Sequence, residues 1–242
     1  MLLCRDLGPT VRFLERSGPA AASLLCLATG RAGERARWVR ADNPADPQVV
    51  LARHHWLYLY SSTRSKGTPA LDWLPARWQR RFAATPGWVH RRLARLGRVG
   101  WQTRCEMYAL TDPGRLPDRS AHRVGPLRAE DAPTIARHWP YGRRPDYIVG
   151  RISRGPGAAI RREGRLVAWA LTHADGALGF LHVLDEFRGQ GMARSIGIRL
   201  ARCQLRLGIR PFVYIERTNR PSLSLTQSLG FEPFGEYVWF GP

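Results

Sequence analysis

The sequence predicts an α/β fold built in two halves, and three observations support this prediction. The chain has 242 residues, of which 44% are apolar, and that is enough for one large or two small cores. Residues 111–123, TDPGRLPDRSAHR, are rich in turn formers and lack an apolar period, as a linker does. After this segment, hairpin signals lead to a strand, a glycine turn and a helix. We therefore expect one unit at 1–122, linker included, and a second at 123–242.

The composition is strongly basic. Lys and Arg number 38 against 19 acidic residues, for a net charge of +19, and the only lysine is Lys66. The charge is spread over both halves, which is more typical of a solvated surface than of the stripe or basic arm of a nucleic-acid binder. A nucleic-acid partner is thus the less favoured alternative, although the charge attracts phosphorylated ligands in either case.

The cysteines are Cys4, Cys26, Cys105 and Cys203, far apart and without a CxxC pair. The first residues also lack the pattern of a signal peptide, so we expect reduced thiols and a cytoplasmic protein. The sequence leaves the oligomeric state open between a monomer and a homodimer. No apolar run reaches about 18 residues, so we expect no membrane partner. Dispersed Cys and His residues argue against a structural zinc site, and we expect no metal.

The first half has strands and helices but little that indicates chemistry. The pattern predicts a helix over 10–27 broken at Gly18, paired strands within 48–62, a broken helical period over 71–96 and a strand at 104–110. It contains no glycine-rich phosphate loop and no compact acid or base cluster.

The second half begins with a predicted strand at 124–127 and a helix at 129–139 whose first turn is acidic, as the helix dipole favours. Glu163-Gly164 between two apolar runs predicts a hairpin, and Asp175-Gly176 turns the chain into a third strand, 178–184. Three antiparallel strands in series are therefore expected.

The strongest signal is the segment RGQGMA, 188–193, between that third strand and an apolar-faced helix. The first N–H groups of such a helix are unpaired and lie at the positive end of its dipole, and glycines let a diphosphate approach the backbone. The junction therefore predicts an anion cradle. Its spacing is neither that of dinucleotide folds nor that of NTPases, so the pattern does not name the nucleotide.

Two motifs, in this order, carry a family resemblance: VLDEFRGQGMA at 183–193 and NRPSLSLTQSLGF at 219–231. Short strands are expected at 212–215 and 236–240. Over 124–240 the sequence resembles the GNAT superfamily of acyl-CoA-dependent N-acyltransferases. It looks most like the glycine N-acyltransferase-like (FR47-like) branch. The resemblance implies a GNAT fold, with a mixed, mostly antiparallel central sheet flanked by helices. It also implies that a degenerate GNAT-like lobe precedes the catalytic one.

The resemblance further implies how an acyl-CoA would be held. The backbone of the central strand would pair with the pantetheine arm, the N–H groups of the glycine turn would hold the pyrophosphate, and arginines would add charge complementarity. For Asn219 the alternative is a helix cap. The implied cofactor-binding residues are Val183, Leu184, Arg188, Gly189, Gln190, Gly191, Met192, Ala193, Arg194, Asn219 and Ser222.

The sequence departs from the family at two catalytic positions. Many family members have a Tyr within the second motif where this chain has Thr226, and glycine-acylating relatives have a Glu early on the central strand where this chain has Ala177. The replacement candidates are His182, whose ordinary pKa suits a base near neutrality, and Glu216. The alternative for His182 is a hydrogen-bonded core residue, and the alternatives for Glu216 are a solvated side chain or a pair with Arg217 or Arg220. An ordered water is the third candidate base.

The acceptor pocket is expected at 138–147, because the resemblance places that connection over the central strands. A double arginine there suits a carboxylate-bearing acceptor such as an amino acid, or an RNA backbone, and the alternative is an ordinary loop with packed aromatics. The candidate substrate-binding residues are Trp139, Tyr141, Arg143, Arg144 and Tyr147.

The sequence thus predicts an N-acetyltransferase or other N-acyltransferase that moves an acyl group from acetyl-CoA, or another acyl-CoA, to a primary amine. The expected acceptor is a small molecule such as an amino acid. The alternatives are an enzyme acting on aminoacyl-tRNA or protein, and a non-catalytic acyl-CoA-binding regulator.

Overall fold

The computed structural model of the chain describes residues 1–75, 81–95, 99–141 and 144–241. The helices are α1 (Gly8–Arg16), α2 (Ala22–Thr29), α3 (Arg64–Trp73), α4 (Gly87–Ala94), α5 (Ala132–Arg137), α6 (Pro145–Arg154), α7 (Met192–Arg206) and α8 (Arg220–Ser228). The strands are β1 (Leu2–Leu3), β2 (Trp38–Ala41), β3 (Val49–Arg53), β4 (Leu57–Ser61), β5 (Phe82–Pro86), β6 (Trp101–Ala109), β7 (Gly157–Arg162), β8 (Arg165–Thr172), β9 (Leu178–Val183), β10 (Phe212–Glu216) and β11 (Glu232–Gly241).

Within the described residues the strands form one sheet in the order β1-β2-β3-β4-β5-β11-β6-β10-β9-β8-β7. Two neighbouring pairs, β4 with β5 and β9 with β10, are parallel, and the other pairs are antiparallel. Helices pack against this sheet. The expected mixed, mostly antiparallel sheet flanked by helices is confirmed.

The last strand of the chain joins the two halves. β11 lies between β5 and β6, pairing Tyr237 with Pro86 on one side and with Cys105 on the other. On its other edge β6 pairs with β10 of the second half, and the pairing begins with Phe212 opposite Ala109. The halves therefore share one continuous sheet, and a lobe boundary at residue 122 stays a prediction.

Alternating side chains of β10 serve two cores, as the period of a strand requires. Phe212 packs with α1 and α2 on one face of the sheet. Ile215 packs with α7 and α8 on the other. Packing of these side chains against helices on both faces of the sheet holds β10 in position.

Two predictions about local structure were wrong. Phe82–Pro86 is a strand, β5, although 71–96 has a helical period, and Trp78 lies outside the described residues. β5 is buried almost throughout, and a short fully buried strand has no alternation that would separate it from a helix. The segment 124–127 forms only a bridge from Gly125 to Ala159. Pro126 follows directly, and its ring fixes φ at about −65°, away from the value of an extended antiparallel strand.

A buried ion pair fastens α6 to the first half. The Arg151 side chain is 0% exposed, and its Nη1 lies 2.7 Å from Glu34 Oε1. Arg151 Nε donates to the Thr172 carbonyl at 2.9 Å and Nη2 to the Ala32 carbonyl at 2.8 Å. Burial alone would raise the pKa of Glu34, but the hydrogen bond and charge of Arg151, with His54 and Arg154, outweigh it and hold that pKa below its ordinary value. The pair stabilises the fold above the ordinary pKa of Glu, about 4.3, and loses that effect as pH falls through the lower folded-state value.

Removing Arg151 should therefore be costly. We expect Arg151→Ala to lower the free energy of unfolding at pH 7 by about 3 to 5 kcal/mol, because Glu34 is left buried without its main partner. The matched control is Arg154→Ala, which removes the outer, 53% exposed partner of the same carboxylate and should cost less than about 1 kcal/mol. Urea unfolding of both variants measures this, and equal losses would contradict the account.

Candidate functional site

A gap separates β9 from β10, which are neighbours in the part of the sheet formed by the second half of the chain. The two parallel strands share a single register pair, Val213 with Leu178, at their N-terminal ends. Beyond that pair β10 stays aligned with β6 as far as Glu216, while β9 stays aligned with β8 as far as Val183. The facing edges of β9 and β10 therefore diverge, which leaves backbone N–H and C=O groups available along the gap.

A β-bulge in β9 contributes to this divergence. Phe180 has a φ of +57°, rare for a bulky residue. The register against β8 slips there: Trp169 faces His182, but Leu171 faces Gly179. An extra residue bends the bulged strand and increases its twist. We attribute the opening of the gap to this bend.

The glycine turn lies directly after the open end of β9. Gly189 and Gly191 have φ values of +77° and +78°, a region that favours glycine. A Cβ added at either would meet no atom within 4 Å, so the space above the turn is open. The Ser195 N–H bonds back to the Gly191 carbonyl at 3.1 Å, so the N–H groups before Ser195 lie ahead of the helical ladder of α7. This is the geometry of an anion cradle.

Arg188 and Arg194, the arginines next to the glycine turn, already form hydrogen bonds within the protein. Arg188 pairs with Asp185 at 2.6 Å, and its Nε donates to the Val183 carbonyl at 3.3 Å. Arg194 donates to the carbonyl and hydroxyl of Ser228 and so ties α7 to the end of α8. The Leu184 N–H donates to the Val167 carbonyl within the sheet. A ligand that pairs with Val183 would first have to displace Arg188.

The other predicted cofactor residues lie at the starts of α7 and α8. Met192 is buried under α7 and Ala193 is half-buried. Asn219 caps α8, its Oδ1 accepting the Ser222 N–H at 3.2 Å. Asn219 therefore acts as a helix cap, the alternative given above. Because α8 follows β10 directly in the chain, the N-terminus of α8 comes just after the C-terminal end of β10.

The first half has a similar parallel pair but no equivalent cradle. β4 and β5 share the single pair Leu57 with Phe82, and α3 follows β4. The N-cap of α3 is Thr63, whose own side chain accepts the Lys66 N–H. No residue between β4 and α3 has a positive φ among those described. The N-terminus of α3 is therefore capped by its own side chain rather than open.

His182 lies near the open end of the gap, in a stack of rings. Its imidazole is 4.7 Å from the Trp169 ring and 4.4 Å from that of His138, between centroids. Burial, followed by the positive charges of His138 and Arg188, lowers the pKa of His182. The imidazole is therefore neutral at pH 7 and able to accept a proton. His138 also belongs to this stack of rings, although the sequence does not indicate it as a site residue. No spacing pattern in the sequence connects His138 to β9.

Glu216 ends β10 on the opposite side of the gap. It is half-buried and accepts a hydrogen bond from the Tyr141 hydroxyl. The predicted pairing with Arg217 or Arg220 is not found among the described contacts, where Arg217 pairs with Glu236 instead. Glu216 and His182 thus lie on the two strands that border the gap.

Aromatic side chains from the predicted acceptor segment cover the bulge. Trp139 stacks on Phe180 with centroids 4.1 Å apart, and Tyr141 lies edge-on to Trp139 at 5.1 Å. Tyr147 packs beside Phe180 at 6.2 Å, and burial raises its pKa to about 12. Arg144 is exposed at the start of α6. Arg143 lies outside the described residues.

The two departures from the family pattern are both buried positions. Ala177 packs in the core under α2, and Thr226 is buried in α8. Neither supplies an exposed acid or base to the gap. The candidate proton acceptors predicted from the sequence therefore stay His182, Glu216 and water.

The rest of the described chain shows one grouping of potential metal ligands, Glu34 with His54 and His55. Arg151 and Arg154 both contact the same carboxylate, which is the arrangement of an ion-pair network. The four cysteines are free. No described helix has the length and apolarity needed to cross a membrane.

Comparison with solved structures defines the class of this fold. A Drosophila protein aligns with 98% of this chain and 90% of its own at 19% identity and a TM-score of 0.68. A GCN5-related N-acetyltransferase-like protein from Streptococcus suis aligns over 98% and 99% at 16% identity and a TM-score of 0.53. A tandem GNAT protein from the clavulanic acid biosynthesis pathway aligns over 100% and 97% at 13% identity and a TM-score of 0.52. The chain therefore has the GNAT fold.

Residues 156–240 match the family described as FR47-like protein. This stretch contains both motifs, the glycine turn and the gap between β9 and β10. The resemblance to the FR47-like branch of the GNAT superfamily is confirmed. No functionally curated protein matches the sequence.

The glycine turn yields a direct binding prediction. Gly191→Asp places a carboxylate where a phosphate would lie and forces a side chain into a left-handed φ, so affinity for CoA should fall at least tenfold, about 1.4 kcal/mol. The matched control is Gly208→Asp, at the far end of α7, where φ is +66° and the added side chain also meets open space. Calorimetric titration checks both. Unchanged CoA affinity in folded Gly191→Asp would remove the site from this turn.

Proposed function

We propose that the chain is an N-acyltransferase that moves an acyl group from acetyl-CoA, or another acyl-CoA, to a primary amine, with a small molecule such as an amino acid as acceptor. The observation that carries the proposal is the open gap between β9 and β10, which leads directly into the glycine turn. A pantetheine arm needs a slot lined by free backbone groups, and a pyrophosphate needs N–H groups at a helix N-terminus. The two lie in line here.

The reaction requires three things of the protein. The acceptor amine must be neutral when its lone pair attacks the thioester carbon, the developing oxyanion needs hydrogen-bond donors, and the CoA thiolate must take up a proton as the C–S bond breaks. The amine nitrogen loses one proton as the new C–N bond forms. Backbone N–H groups on the unpaired edge of β9 are suited to the oxyanion.

His182 is the proposed proton acceptor, and it lies on the strand that borders the acyl group. Its lowered pKa keeps the imidazole neutral, so the lone pair is available at pH 7. None of the hydrogen bonds found between described residues occupies its ring nitrogens. Glu216, held by Tyr141, is the second proposed group and faces the same gap.

The acceptor is proposed to enter over Trp139 and Tyr141. These rings adjoin Phe180 at the bulge, close to the point where β9 and β10 diverge. An aromatic wall suits an acceptor with an apolar body, and Arg144 supplies an exposed cation at the rim for a carboxylate. This favours a small acceptor over a macromolecule.

Two rival functions have specific support. The burial of Thr226 and the Ala at position 177 favour a regulator that binds acyl-CoA without turnover. The net charge of +19 favours an aminoacyl-tRNA acceptor. Release of CoA thiol with a panel of amines separates an enzyme from a regulator, and salt-sensitive binding of tRNA would support the nucleic-acid alternative.

Replacing His182 tests the mechanism. We expect His182→Ala to lower kcat by about 10²- to 10⁴-fold with CoA affinity nearly unchanged, as for loss of a general base. In the wild type, kcat/KM should fall as pH drops through a value below about 6.5, because a lowered pKa moves protonation of His182 to more acidic pH. That limb should be absent from the variant. The matched control is His55→Ala, an exposed histidine of the first half.

A folded His182→Ala with less than about a fivefold loss of rate, below the general-base range, would make His182 a packing residue. The proton would then go to Glu216 or to solvent.

A further inference from the structure

His122, in the linker between the two halves, contacts the glycine turn directly. Its Nε2 lies 2.6 Å from the backbone carbonyl oxygen of Gln190. Its Nδ1 lies 3.1 Å from Nη2 of Arg162, at the end of β7. The linker thus places an imidazole between the β7–β8 hairpin and the middle of the turn, 68 positions away in sequence from Gln190.

These two contacts define which ring nitrogen carries the hydrogen. A guanidinium only donates hydrogen bonds, so Nδ1 of His122 must accept from Arg162. A carbonyl only accepts, so Nε2 must carry the hydrogen and donate it to Gln190. The Nε2–H tautomer satisfies both contacts.

The contact with Gln190 matters because of the peptide group that follows it. The part of the chain that the structure describes, which includes this turn, contains no cis peptide bond. In a trans peptide the C=O and the next N–H point in opposite directions. A Gln190 carbonyl held toward His122 therefore directs the Gly191 N–H to the opposite side. That N–H belongs to the turn in which a Cβ added at Gly189 or Gly191 would meet no atom within 4 Å.

Nothing in the turn itself holds this orientation. Glycine adopts positive and negative φ about equally, so the peptide between Gln190 and Gly191 can rotate at low intrinsic cost. In the rotated state the carbonyl oxygen would point where the N–H now points, and its partial negative charge would repel a phosphate. An external hydrogen bond to the carbonyl excludes that state.

Neighbouring contacts brace the same region. Arg165, at the start of β8, pairs with Glu186 at 2.9 Å just before the turn. Ser120 donates to the His122 carbonyl at 2.8 Å, a hydrogen bond within the linker that does not involve the imidazole. The turn is thus supported from outside by both the hairpin and the linker.

We propose that His122 is a positioning residue for the acyl-CoA phosphates, acting by fixing the Gln190–Gly191 peptide so that the Gly191 N–H points into the cradle. The proposal rests on the proposed function, since it assumes that CoA binds at this turn. It assigns the linker a role in binding. His122 itself does not touch the reacting atoms.

The test compares His122→Ala, His122→Gln and Ser120→Ala by calorimetric titration with CoA and by steady-state kinetics. His122→Ala should weaken CoA binding about five- to tenfold, the effect of losing one hydrogen bond that orients a donor. The KM for acyl-CoA should rise to match, with kcat and the KM for the amine unchanged. His122→Gln should recover most of the affinity, because its amide both donates and accepts. Ser120→Ala, which alters the linker but keeps the imidazole, should bind CoA as the wild type does.

Each other outcome has a distinct meaning. If the wild type binds CoA and His122→Ala binds it equally well, the inference is wrong while the proposed function stands. If His122→Ala and Ser120→Ala weaken binding alike, or Gln restores nothing, general packing of the linker replaces the imidazole as the cause and the inference is wrong. If the wild type binds no CoA, the proposed function itself fails.

Discussion

The insertion of β11 between β5 and β6 is the constraint on which the rest of the structure depends. β6 pairs with β11 along one edge and with β10, from Phe212 to Glu216, along the other. β10 is thereby held in line with β6, while β9 follows β8 and bends at the Phe180 bulge. A single register pair between β9 and β10 remains, and the gap opens above it. The feature proposed to accept a pantetheine arm is thus a consequence of how strands from the two halves alternate in one sheet.

The first half, whose described residues form no comparable cradle, supports the second at two places. Glu34 holds the fully buried Arg151 and so fixes α6, which carries Tyr147 to the side of Phe180. The linker then carries His122 to the glycine turn. One support lies on the acceptor side of the gap and the other on the phosphate side. A half without recognisable chemistry can in this way determine the geometry of both ends of the site.

Local patterns predicted much of this molecule and long-range pairing decided the remainder. The hairpin at Glu163-Gly164 and the glycine turn were predictable, because turn residues and apolar periods act over a few positions. The helical period over 71–96 wrongly predicts a helix where β5 lies, because a short, buried strand has no alternation of apolar and polar residues that would distinguish it from a helix. The place of β11 and the approach of His138 to His182 were beyond the sequence, because each depends on segments that meet only in the folded chain. His122 has no signal in spacing for the same reason.

The central claim is that one continuous feature, the gap with its glycine turn, binds acyl-CoA. A crystal structure of the chain with CoA tests it most directly. The account predicts one CoA per chain, with the pyrophosphate against the N–H groups between Gly189 and Arg194 and the pantetheine arm between β9 and β10. Arg188 should have left the Val183 carbonyl, which it contacts in the free chain. CoA bound between β4 and β5, or elsewhere on the surface with the gap between β9 and β10 empty, would contradict the account.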